Sequence, residues 1–330
     1  MQNGHYMTGD GNHHRMVEVD MMGNTIHNWD MLERGYTMHH AISQDKQGNI
    51  LATVSKTSAK IANGKDVRIN DFIIMMDPEK GEILQEWDLV HMLDSARYGM
   101  TDYNLTADPY AQNASNWAHN NGIVEWGNDY LATARYQGIF KFNKAGGIEW
   151  IISPHGYWRD RYLKLLLNPL HADGTPITDP DVIAGTKNCD DFEWPWGCHT
   201  AVPLPNGHIF YFNNGYGRNF KLDFTDRKNV YTCGIEYEVD EVNRTVRQVW
   251  QYGKERGTAY FTPARSGVQY LEQTGNRLIC PGMSNVLSNG NRGARVTEVD
   301  PETQEIVFEL ELEDAIYQRV YRMSLYPDNQ

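Results

Sequence analysis

The sequence predicts an all-β fold, a β-propeller built from four-stranded blades, and three observations carry that reading. A short unit recurs in which a His precedes a turn glycine by eight residues: His40 and Gly48, His119 and Gly127, His199 and Gly207. Gly267 and Gly275 repeat the spacing without the His, and Tyr321 opens a further copy in YRMSLYPDN. Alternating with it is a hairpin with an acid or Asn at its turn and an aromatic residue on its return strand: Trp29, Trp87, Trp150, Trp250 and, in the last copy, Phe308. The third observation is the period. Trp29 to Trp87 is 58 residues, Trp87 to Trp150 is 63, and Trp250 to Phe308 is 58 again. Four strands repeated at such a period read as one propeller blade per unit. Five units can be counted, and Asn3-Gly4-His5-Tyr6 reads as the second half of another copy.

Each element follows from local signals. Asn206-Gly207 between two β-rich runs is a strong short hairpin signal. It puts His199 at the start of one strand and Arg218 just past the end of its return partner. Naming the strands of a blade A to D, strand A begins at the repeat His and the glycine turn lies on the opposite face. Every D-to-A connection then falls on the His face: residues 89–116, 153–196, 252–266 and 313–319. Long loops gathered on one face mark a functional side. Within the 153–196 insertion, residues 158–170 (WRDRYLKLLLNPL) have the apolar spacing of a short amphipathic helix, as do residues 90–98. Both are expected as walls or a lid over the central opening. Residues 1–330 read as a single propeller domain.

Composition narrows the function. The formal net charge is −13, with no basic run, which disfavours nucleic acid and anionic membrane as partners. No apolar run approaches the ~18 residues of a transmembrane helix. The N-terminus is polar and Gly-rich, so no signal peptide is expected in this chain. Four cysteines occur with no CxxC; Cys189 and Cys198 either pair in an oxidising compartment or stay as thiols.

The repeats also place chemistry. Strand A is the innermost strand of a blade, so His40, His119, His199 and Tyr321 ring the mouth of the central channel. Lys56 and Arg135 lie eight residues after their turn glycines and Arg218 eleven, which adds cations at the ends of strand B. A single His at a strand start is more often a packing residue; three at one repeat position point to a site. Lys56 and Arg135 also suit solvated or blade-to-blade roles, and the Trp series suits packing of blade on blade. Three His could alternatively hold Zn²⁺ or Mn²⁺, although the neighbouring Arg135 and Arg218 weigh against a cation. The chain has no GxSxG, GxGxxG or GxxxxGK[ST], so neither a nucleophile elbow nor a nucleotide cofactor is indicated. The residues thus read as an anion-handling funnel, suited to transfer of a small anionic group by positioning and electrostatics.

WAHNNGI around His119, GCHTAVPLPNGHIFYFNNGYGR at 197–218 and VRQVWQYGKERG at 246–257 together resemble the bacterial arylsulfate sulfotransferases. The resemblance runs over residues 16–327. It implies a six-bladed propeller behind a small N-terminal β-domain, and transfer of a sulfuryl group from a phenolic sulfate ester to a phenolic acceptor without a nucleotide sulfate donor. It makes His119, His199 and Arg218 the catalytic candidates. Asn121 follows in the same motif and joins His40, Arg135, Lys56 and Tyr321 as substrate-binding candidates, with no cofactor and no metal. Family members are often periplasmic or exported. Two departures are expected: the N-terminal β-domain is absent from this sequence, and the segment where the family nucleophile is placed reads Pro281-Gly282-Met283-Ser284-Asn285-Val286, without a His. Two alternatives stay open: a propeller that binds a ligand or partner without turnover, and a metal-dependent enzyme on the same His ring.

Overall fold

The computed structural model describes residues 1, 3–10, 14–63, 66–97, 117–222, 225–284, 287 and 289–317. They form five sheets in chain order, antiparallel except for one added strand in the fourth, a propeller arrangement. The first has three strands, β1 (Tyr6–Asp10), β2 (Arg15–Val19) and β3 (Thr25–Asp30). The second holds β4 (Tyr36–Gln44), β5 (Ile50–Asn63), β6 (Asp66–Met76) and β7 (Ile83–Asp88). The third holds β8 (Asn120–Trp126), β9 (Asp129–Ala134), β10 (Gly138–Phe142) and β11 (Ile148–Ile152). The fourth is led in sequence by a short strand, β12 (Asn168–Leu170). It then runs through β13 (His199–Pro203), β14 (Ile209–Asn213), β15 (Cys233–Asp240) and β16 (Thr245–Tyr252). The fifth holds β17 (Gly267–Tyr270), β18 (Arg277–Cys280), β19 (Gly293–Val299) and β20 (Ile306–Glu313). Tyr321, Asn285 and Val286 lie outside the described residues.

The expected hairpins are present. The turn glycines Gly4, Gly48, Gly127, Gly207 and Gly275 all have φ between 67° and 90°, a left-handed conformation that a glycine adopts without steric cost. Strands β4, β8, β13 and β17 lie innermost, each beside the next. A cavity of about 490 Å³ opens among them, lined by Met7, Ile42, Val124, Thr200, Val202 and Val268 among others.

Blades are joined by the repeated Trp. Trp87 on β7 donates its indole N–H to the Lys144 carbonyl, 2.9 Å away in the β10–β11 turn. Trp150 on β11 donates to Glu241 Oε1 at 2.8 Å in the β15–β16 turn, and Trp250 on β16 donates to the Pro301 carbonyl at 3.0 Å in the β19–β20 turn. Each outer strand is thus pinned to the turn of the following sheet. Trp29 makes the equivalent contact by packing on Gly81, where a Cβ would lie 2.4 Å from the ring. The rings bury large apolar surfaces while the N–H finds a partner, the usual requirement for a buried indole. Phe308 differs. It occupies the Trp position on β20 but is 49% exposed, as are its neighbours Ile306 and Leu310 to a similar degree.

The insertion departs from expectation. Residues 158–170 contain only one helical turn, α2 (Asp160–Leu163), and the described part of 90–98 holds only the turn α1 (Leu89–Met92). Leu165 and Leu167 exchange backbone hydrogen bonds with Ile151 at 2.8 and 3.0 Å. The chain then passes to β12, which runs parallel to β16. Two things favour strand over helix here. Pro169 cannot donate a helical hydrogen bond, and the free outer edges of the third and fourth sheets offer ladder partners to the leucine run. This stretch therefore joins two blades along their rims.

The Trp contacts generate a prediction. Trp87→Ala should cost about 3–5 kcal/mol in urea unfolding because it empties a packed position. Trp87→Phe should cost only about 1 kcal/mol, the worth of the hydrogen bond to the Lys144 carbonyl. Equal costs for the two variants would remove the packing role.

Candidate active site

The inner strands do not begin smoothly. The β4–β5 register shifts between Met38 and Ile42, the β8–β9 register between Asn120 and Gly122, and the β13–β14 register between His199 and Ala201. At these bulges His40, His119 and Thr200 have φ of 51°, 54° and 45°. Positive φ is uncommon for non-glycine residues and strained for a β-branched one, and bulges re-aim side chains. In the second sheet the bulge is held by Thr53, whose hydroxyl accepts from Ala41 N–H at 2.9 Å.

The bulges bring the three repeat imidazoles together. His40 Nε2 lies 3.1 Å from His119 Nε2, and the His40 and His199 rings are 5.9 Å apart between centroids. His39 extends the chain: its Nδ1 is 3.1 Å from His40 Nδ1, and its Nε2 is 3.6 Å from Asp71 Oδ1. Asp71 Oδ2 accepts the Asn120 N–H at 3.0 Å, which ties the start of β8 to the preceding sheet. Burial raises the Asp71 pKa, outweighing the opposing effects of His39 and the Asn120 and His119 amides. Asp71, His39, His40 and His119 form a line of titratable groups. Burial also pushes His119 well below the usual imidazole range, and the Arg135 guanidinium, His199 and His39 push the same way. It is therefore neutral at neutral pH.

His199 is buried and its tautomer is fixed. Asn214 donates its amide N–H groups to the carbonyls of Thr262 (2.8 Å) and Arg265 (3.3 Å). That orientation turns Asn214 Oδ1 to His199 Nδ1 at 2.6 Å, and the Gly197 carbonyl approaches the same nitrogen at 3.1 Å. Two acceptors at Nδ1 place the proton there, leaving the lone pair on Nε2.

The expected cations part company. Arg135 is buried, follows His119 across the β8–β9 pair, donates to the Pro263 carbonyl at 2.8 Å and stacks on Tyr216 at 4.4 Å. Arg218 instead forms an ion pair with Glu193, Nη2 to Oε1 at 2.6 Å and Nε to Oε1 at 2.8 Å. It also lies over the Tyr231 ring at 3.8 Å. Lys56 meets both carboxylate oxygens of Glu86 at 3.0 Å. Asn121 is buried between blades, donating to the Cys198 carbonyl at 2.8 Å and accepting from Thr133 at 2.7 Å. Ser284, in the stretch that lacks a His, is buried. All four cysteines are free thiols, Cys189 and Cys198 included. Sequence reasoning missed His39, Asp71 and Asn214. Only His39, half of a His-His pair, left a signal.

The arylsulfotransferase family model matches residues 1–322. The chain belongs to the arylsulfotransferase family. It is 28% identical to the arylsulfate sulfotransferase AssT of Escherichia coli O6:H1 over 344 aligned positions, and 29% identical to AssT of Lelliottia amnigena over 345. Each alignment covers 95% of this chain and 57% of the relative, so this family member spans little more than half the length of those proteins. In fold it is similar to a protein of unknown function from Bacteroides caccae, with a TM-score of 0.51 and 11% identity, covering 96% of this chain and 82% of that one.

Two predictions arise from the site. Arg218→Met leaves Glu193 buried without its cation and should cost about 3–5 kcal/mol in urea unfolding. Arg218→Lys should recover only part of this, because Lys lacks the planar fork. A fully stable Arg218→Met variant would refute the structural pairing. The second concerns pH. Unfolded His119 titrates near its ordinary value, about 6.5, whereas the folded side chain titrates lower. Below pH ~6.5 the unfolded state binds the extra proton, so folding stability falls as pH falls, by up to about 1.4 kcal/mol per pH unit. His119→Gln should remove that increment between pH 6.5 and 5, measured by urea unfolding at each pH. An unchanged acid-side slope would contradict the depressed pKa.

Proposed function

We propose that this chain transfers a sulfuryl group from a phenolic sulfate ester to a phenolic acceptor at the His40, His119 and His199 cluster. The reading is supported above all by one observation: imidazoles from three successive blades converge, and His199 is held as the Nδ1–H tautomer by Asn214. Family membership supports the same class of chemistry.

In the first half-reaction, His199 Nε2 attacks sulfur. An N–S bond forms, the S–O bond to the phenol breaks, and the phenolate leaves and takes its proton from water. In the second half, an acceptor phenol gives its proton to neutral His119 while its oxygen displaces Nε2 from sulfur, and His119 then releases that proton to solvent. A neutral imidazole is the form needed for nucleophilic and base roles. Arg135, beside His119, is the cation suited to the charge that develops on the sulfuryl oxygens. Arg218 acts through Glu193 as a support of the insertion, and Lys56 through Glu86 as a tie between β5 and β7.

The test is release of nitrophenolate from p-nitrophenyl sulfate in the presence of a phenol. His199→Ala should lower the rate at least ~100-fold, within the range of a lost nucleophile or base, in protein that still unfolds cooperatively. A chelator should leave the wild-type rate unchanged. Binding of the ester with no turnover by folded protein would favour a binding module. Turnover abolished by chelator and restored by metal would favour the metal-dependent reading.

A further inference from the structure

The insertion carries a second group of ligating side chains, on the opposite rim of the blade from the channel. His171 directly follows β12, while Cys189 and Asp191 come after the short helix α3 (Pro180–Ala184). The chain folds back so that one ligand atom from each of the three lies within 4.8 Å of the others, and all three residues are half-buried. His171 Nδ1 is 3.0 Å from Asp191 Oδ1. Cys189 Sγ donates to the same oxygen at 3.1 Å. The Ala172 N–H donates to Asp191 Oδ2 at 2.9 Å, which sets the carboxylate's orientation.

A nitrogen, a sulfur and an oxygen donor around one point are a borderline-soft set that suits zinc, with three protein ligands and a fourth position for water. In a zinc tetrahedron such donors stand roughly 3.3–3.5 Å apart. The two pairs that share Asp191 Oδ1 would need to open by only a few tenths of an ångström, and His171 and Cys189 lie within 4.8 Å of each other. Asp191 Oδ1 faces both His171 and Cys189, while Oδ2 is held by the Ala172 N–H.

We propose that His171, Cys189 and Asp191 bind one zinc ion that clasps the insertion to the outer edge of the fourth sheet. The ion takes the place of the Cys189 thiol proton, which is released to solvent as the Zn–S bond forms. The sheet order is β12, β16, β15, β14, β13. Four strand spacings, roughly 19 Å, therefore separate the clasp from the inner strand that carries His199. The ion is thus remote from the imidazole site, and it closes the loop from His171 to Cys189, which no disulfide does.

The test uses the full chain, stripped with chelator and titrated with Zn²⁺ by calorimetry. One ion per chain is expected, with a rise in melting temperature. His171→Ala and Cys189→Ser should each weaken binding at least ~100-fold, as expected for a lost ligand when changing a residue that merely hydrogen-bonds a ligand costs 10–100-fold. His40→Ala should leave it unchanged. Iodoacetamide gives an independent readout in the wild type, since Cys189 is half-buried while Cys198, Cys233 and Cys280 are buried. Zinc should slow Cys189 alkylation at least tenfold on the same grounds. The proposal is overturned if His171→Ala binds zinc as the wild type does, if His40→Ala abolishes binding, or if zinc leaves the alkylation rate unchanged. Should Cys189→Ser fail to fold, His171→Ala and the alkylation rate decide.

Discussion

The pinning of each outer strand to the next sheet's turn is the constraint on which the rest depends. A four-stranded sheet has two apolar faces and cannot bury both alone. The indole N–H of Trp87, Trp150 or Trp250 fixes one point on a neighbour 57, 91 or 51 residues away in sequence. With the outer strands fixed, and Trp87, Tyr130 and Phe142 packed in one aromatic group between sheets, the inner strands have little freedom to rotate. The meeting of His40 with His119 across a blade boundary is a downstream result of that packing.

The site itself departs from regular structure where its chemistry is placed. A β-strand that began cleanly at His119 would alternate its side chains in and out of the sheet. The bulge and the left-handed φ break that alternation and turn the imidazole toward its neighbours. Such conformations persist only when surrounding contacts over-determine them. Here Asp71 holds the Asn120 amide, Thr53 holds the Ala41 amide and Asn121 ties the start of β8 to Cys198. Electrostatics follow the same plan. Arg218 and Lys56 are matched by Glu193 and Glu86, while burial, helped by Arg135, keeps His119 neutral.

Much of the fold was legible because repetition is visible without coordinates. A glycine at a fixed distance from a His specifies a hairpin, and a Trp at a fixed period specifies a blade. The same repetition placed His40, His119 and His199 on one face. What could not be read were contacts made by segments outside the repeat. Glu193 belongs to the insertion, so nothing near Arg218 in sequence announced its partner. Asp71 sits in mid-strand, and only the fold brings it to His39. Asn214 looked like one of several turn residues. The leucine-rich run at 163–167 has helical periodicity, yet two unpaired sheet edges were the stronger attraction. Local pattern loses to tertiary pairing most readily in such short apolar runs.

The propeller's connections are unequal on its two faces. The glycine turns are closed by hydrogen bonds across a few residues, as in the Gly207 N–H to Leu204 carbonyl contact at 2.9 Å, and hold no room for added sequence. The connections on the imidazole face are open-ended by comparison, and a flexible loop costs only about 0.6 kcal/mol more for each doubling of its length. A lineage carrying this scaffold can therefore gain or lose whole segments beside the imidazoles at small thermodynamic penalty. Length is thus cheap to change beside the imidazoles and costly to change at the glycine turns.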